Sequence, residues 1–150
     1  MGNYREHALD GASAVELVVA LYDGILRFLN EAAEAVDRGD AARRRAAVKR
    51  ALDIVIHLQA RLRMDVGGRP AQALSDFYAA LFAQILNASQ AASRTKFQHA
   101  IECARSVRDA WRQAAKDPES YRLPQGAAAM AARLDSAVIQ EENALRSWTA

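Results

Sequence analysis

The sequence predicts an all-α fold, an antiparallel four-helix bundle with an additional C-terminal helix, and three observations carry that reading. Only 10 of the 150 residues are Gly or Pro and only 17 are Val, Ile or Thr, too few turn formers and β-branched side chains for a chain of short strands. Good helix formers dominate, with 34 alanines among them, and the bulkier apolar residues suffice for one core and not two, so residues 1–150 read as a single domain. Apolar positions also recur every three or four residues in long stretches separated by short breaks, which is the period of a helix with one buried face.

The first helix is expected at about 13–37. Ser13 and Glu16 form a capping-box start signal, and Val18, Leu21, Tyr22, Ile25, Phe28, Leu29, Ala32 and Val36 make the inward stripe. Arg38-Gly39-Asp40 closes it and caps the second helix, about 41–64, with Val48, Ala51, Leu52, Val55, Leu58 and Leu62 inward. Asp65-Val66-Gly67-Gly68-Arg69-Pro70 reads as the strongest break in the chain, with Pro70 opening a third helix over about 70–91 that carries Leu74, Phe77, Tyr78, Leu81, Phe82, Ile85 and Ala88. Ser93 caps a fourth helix bearing Phe97, Ala100, Ile101, Ala104, Val107 and Trp111, and Asp117-Pro118 stops it, so the core bundle covers about 13–116. Pro124 opens a fifth helix over about 124–147, with Met130, Leu134, Val138, Leu145 and Trp148 on a thinner stripe.

Two of these helices are apolar beyond one stripe. Leu17, Val19 and Leu26 on the first, and Ile54 and Ile56 on the second, call for a second covered face: the fifth helix, the N-terminal segment, a partner chain or a dimer mate.

The longest apolar run, Leu17 to Tyr22, is far short of the roughly 20 residues of a membrane span, so direct membrane insertion is not expected. With no secretory signal pattern at the N-terminus and a single cysteine, Cys103, the chain reads as cytoplasmic. No Glu-x-x-His pair, phosphate-cradling loop or nucleophile elbow occurs, so neither cofactor, metal nor catalysis is expected. Residues 38–69 hold nine basic side chains against three acidic, and the run Arg43-Arg44-Arg45 with Lys49 and Arg50 reads as a solvated face or an acidic-partner patch. A net charge of +2 and the lack of interleaved aromatics argue against nucleic acid. An alternative is a histidine phosphotransfer module using His57, a central-helix histidine, although the lysine-glycine that usually follows such a histidine is missing from His57-Leu58-Gln59-Ala60-Arg61.

In order along the chain stand Leu21-Tyr22-Asp23-Gly24 with Ile25 and Phe28-Leu29, Ala51-Leu52-Asp53-Ile54 with Leu58, Gly67-Gly68, Leu74 with Phe77-Tyr78 and Ala88, and Arg108 with Trp111. Over about residues 4–115 this set resembles the FliS family of flagellar secretion chaperones. It departs at Ala88-Ser89, where the family usually has Ala-Asn, and at His57-Leu58, where glutamate-leucine is common.

The resemblance implies a binding protein and not an enzyme. Family members hold the disordered C-terminal segment of flagellin, prevent its premature polymerisation in the cytoplasm and deliver it to the cytoplasmic domain of the export gate. It further implies a client groove involving Tyr22, Ile25, Leu29, Leu58, Leu62, Phe77, Tyr78, Leu81 and Phe82, and an N-terminal segment, here containing Tyr4, that covers a groove and joins in binding. The chain itself is expected to be a monomer or a weak homodimer.

Overall fold

The computed structural model describes residues 2–62 and 64–116. They form four helices, α1 (Gly2–Asp37), α2 (Ala41–Ala60), α3 (Met64–Gln90) and α4 (Arg94–Lys116), and no strand among the described residues. The expected fifth helix lies outside them.

Local chemistry explains the joints. After α1, Gly39 adopts φ +66° and its N–H bonds Val36 O at 3.1 Å while Asp40 N–H bonds Ala35 O at 2.9 Å, the paired bonds that close a helix through a left-handed residue. Asp40 then caps α2 through Arg43 N–H at 3.0 Å. The α3–α4 joint repeats the design: Ala92 takes φ +46°, its N–H reaches Ser89 O at 3.1 Å, Ser93 N–H reaches Ala88 O at 3.0 Å, and Ser93 Oγ caps Lys96 N–H at 3.2 Å.

Two boundaries differ from the sequence reading. Ser13 is not a helix start, because α1 continues back to Gly2. Residues 3–12 contain no proline and several good helix formers, and a serine inside a helix costs too little to force an end. Nor is 65–70 a loop: α2 ends at Ala60, and α3 starts at Met64 and runs through Gly67, Gly68 and Pro70. Glycine can take helical angles, and the fixed φ of proline is itself near the helical value, so breaker residues early in a helix lower its stability without dictating its start. Leu62 therefore falls after α2, in a turn tightened by Arg61 N–H to Leu58 O and Leu62 N–H to Gln59 O.

The helices make a bundle in which α1 packs on α2 and α4, and α3 packs on the same two. Its core holds Tyr22, Ile25, Leu29, Val55, Phe77, Tyr78, Leu81, Ile85, Phe97, Ile101 and Val107, each essentially inaccessible. Burying a side chain of this size contributes about 1.5–3 kcal/mol. Gly24 allows α1 and α2 to close together, since a Cβ there would stand 3.0 Å from Ile54 Cδ1. At the other interface Arg108 donates to Asp23 at 3.0 Å, Arg112 lies 3.6 Å from the same carboxylate, and Arg94 pairs with Asp37.

Candidate functional site

Most of the surplus apolar surface is absorbed inside the bundle. Leu26 is buried, while Val19 and Ile54 are half-buried against the core. Leu17 and Ile56 remain exposed, and Leu86 joins them as the third large exposed apolar residue among those described. Two of the three face one feature, a groove between α2 and α3 of about 430 Å³ lined by Val48, Leu52, Ile56, Phe82 and Leu86. Arg45, Lys49 and Asp53, spaced one turn apart, form its α2 border, and Ser89 and Gln90 close its α3 side. The floor is apolar and the α2 border carries two cations against one anion. This combination suits an amphipathic helix with acidic flanks. A smaller groove of about 270 Å³ lies between α1 and α4, lined by Val15, Glu16, Val19, Arg112, Ala115 and Lys116.

Of the residues the resemblance places in a client groove, Phe82 lines the α2–α3 groove directly and is half-buried. Leu62 is half-buried against the core, beyond the lining. Tyr22, Ile25, Leu29, Leu58, Phe77, Tyr78 and Leu81 are buried core in this conformation. Tyr4 sits in the first turn of α1 as part of a continuous helix. Sequence reasoning flagged Ile56 as off-stripe but did not join it to Val48, Leu52 and Leu86. The missed signal was at Leu86, one helical turn past the stripe residue Phe82, which lines the same groove as Ile56.

In the core, the Tyr22 hydroxyl donates to that of Tyr78 at 2.8 Å, and the rings tilt by 45° with centroids 6.3 Å apart. Burial, reinforced by Tyr78, holds the Tyr22 phenol well above its ordinary pKa of 10.0, and the nearby Trp111 indole offsets this only in part. These hydroxyls stay neutral and serve as a polar pin in an apolar core. Burial and then Glu102 raise Cys103, which disfavours its thiolate and so its nucleophilicity. His57 is exposed on α2, and among the described residues no group of three or more His, Cys, Asp or Glu could hold a metal ion. On the α1–α2 surface Arg27 and Arg50 approach the Phe28 ring at 4.8 and 5.7 Å, and Arg43 lies 3.6 Å from Glu31, so part of the basic run is engaged within the bundle.

Residues 1–118 match the family described as "Flagellar protein FliS". The chain belongs to the FliS family. A relative from Vibrio cholerae, named "Flagellar secretion chaperone FliS", is 30% identical over 115 residues, covering 77% of this chain and 83% of that protein. The FliS match spans all four helices and the α2–α3 groove. None of the described helices is long and apolar enough to cross a membrane.

Proposed function

We propose that this FliS-family chain is a cytoplasmic, non-enzymatic chaperone of flagellar secretion that binds the C-terminal segment of flagellin and passes it to the cytoplasmic domain of the export gate. The observation that carries the reading is the α2–α3 groove, where Ile56 and Leu86 stand exposed over an apolar floor on a chain of this family. A flagellin segment that folds on docking would cover them with the apolar face of a helix and set acidic residues against Arg45 and Lys49. The buried aromatics, Tyr22, Phe77 and Tyr78, would shape the groove from below, with Phe82 in contact. We take neighbouring helices as antiparallel, as connections of three residues favour, and residues 124–147 as an added helix of the same domain.

The test is calorimetric titration of the full chain with a peptide covering the C-terminal segment of flagellin from the same organism. Saturable one-to-one binding with a negative heat-capacity change is expected. The exposed double substitution I56D/L86D should keep the melting temperature close to the parent and weaken binding at least about tenfold, or about 1.4 kcal/mol. Unchanged affinity in that variant would remove the client from this groove, and no binding by the parent chain would remove flagellin as the client.

A further inference from the structure

We infer that the α2–α3 groove selects its client helix by the order of charges along it: a base at Asp53, an acid at Lys49 one turn away, and, at the Arg45–Ser89 end, an acid beside an uncharged hydrogen-bonding side chain. The inference rests on the proposed function only in taking this groove as the client site, and it names the class of helix that fits there. With α2 and α3 taken as antiparallel, the hydrogen bond from Gln59 Nε2 to Ser75 Oγ sets their register. Turn by turn, it brings Asp53 level with Phe82, Lys49 level with Leu86 and Arg45 level with Ser89. Each tier has a charged side chain on α2 and an uncharged one on α3. The α3 side is apolar in the first two tiers and polar in the third.

Two observations point from these groups to a ligand. Arg43, Arg94, Arg108 and Arg112 each meet a carboxylate of the bundle, whereas Arg45, Lys49 and Asp53, all exposed, meet no opposite charge among the described residues. Ser89 is the one buried polar residue among those described, 8% exposed, and its hydroxyl makes no hydrogen bond with them. A wholly apolar helix covering the groove would strip the last water from that hydroxyl and give nothing back, so a bound helix needs a polar side chain at that tier. Exposed ion pairs are individually weak, and discrimination therefore comes from three of them in a fixed order. The mixed border also excludes. A uniformly acidic helix, which Arg45 and Lys49 alone would accept, sets like charge against Asp53.

The test uses two designed helical peptides that share one apolar stripe and one composition, and hence one net charge. At successive turns on both flanks of the stripe, the matched peptide carries base, acid, acid and the control carries acid, base, acid. Fluorescence anisotropy with the full chain at low salt should show the matched peptide binding at least about fivefold more tightly. In the exchange variant K49D/D53K, which keeps the net charge, the preference should reverse at an unchanged melting temperature. The variant I56D/L86D should weaken both peptides. Ser89 is read with matched peptides bearing Gln or Leu beside the terminal acid: the parent chain should prefer Gln, and S89A should prefer Leu. Failure of both peptides to bind, equal affinity for the two charge orders, a preference that survives the exchange, or binding indifferent to I56D/L86D overturns the charge selection. A Gln preference that S89A leaves in place overturns the role of Ser89. No flagellin is present in these measurements, so their failure and the failure of the flagellin titration are read independently.

Discussion

Tyr22 concentrates the chemistry of the core in one hydroxyl. Tyr22→Phe would leave Tyr78 without the donor it now has at 2.8 Å, and we expect a loss of about 1–3 kcal/mol in urea unfolding at neutral pH. The same residue gives the fold an alkaline limit. With its folded pKa raised above 10.0, the native state keeps a proton that the unfolded state releases, so stability is level below pH 10 and falls as pH rises above it. Cys103, raised from 9.0, acts in the same direction. Melting temperatures measured from pH 8 upward should therefore decline, and Tyr22→Phe should flatten the decline. Gly24 has a different task, since glycine inside a helix costs about 1 kcal/mol against alanine. Its return is the approach of Ile54, so Gly24→Val should destabilise by about 1–3 kcal/mol through overpacking, read in the same denaturant titration.

Element by element, the joints that stop a helix and cap the next were legible where the signal was local. Arg38-Gly39-Asp40 and Ser93 act in the structure as their residue types require. The turn at 61–63 was not legible, because Gly67, Gly68 and Pro70 carry stronger local signals than Arg61 and Leu62, and only the packing of whole helices decides between them. The start of α1 was missed for a related reason: a capping box stabilises a helix end where one exists but does not prevent a helix from passing through it. The α3–α4 joint contains a suboptimal residue, since Ala92 holds the left-handed angle that Gly39 holds at the first joint. Ala92→Gly should raise stability by about 0.5–1 kcal/mol, because the relief of backbone strain at an exposed left-handed position exceeds the entropy that glycine adds to the unfolded chain. A midpoint shift to lower denaturant would refute the strain argument.

For the molecule as a whole, the core was readable from periodicity, and the binding surface only in outline. Stripe residues such as Ile25, Phe77 and Phe97 are buried as their spacing requires. A groove, in contrast, belongs to two helices at once. Ile56 looks merely surplus until α3 brings Leu86 and Phe82 to the other side of one groove, and that meeting of two helices has no trace in the spacing of either segment. The resemblance to the family pointed to apolar and aromatic residues of the helices without separating those that hold the bundle together from those at its surface. Burial makes the separation, leaving Phe82 at the lining and Tyr22, Phe77 and Tyr78 in the core.

The ring of helix contacts also has a kinetic consequence. Three of its interfaces join elements consecutive in the chain, and α1 with α4 alone joins elements far apart in sequence. The neighbouring pairs need close only short loops, whereas the α1–α4 seam must bring Asp23 to Arg108 across 85 residues, at a larger entropic cost. On loop-closure entropy alone, this seam is expected to be the last contact to form. Val107→Ala in α4 should mainly accelerate unfolding, while Val55→Ala in α2 should also slow refolding, a difference visible in the two arms of a stopped-flow chevron. Equal partition in both variants would mean that the ring closes all at once. If the seam forms last, the α2–α3 groove on the far side of the ring is in place before the bundle closes.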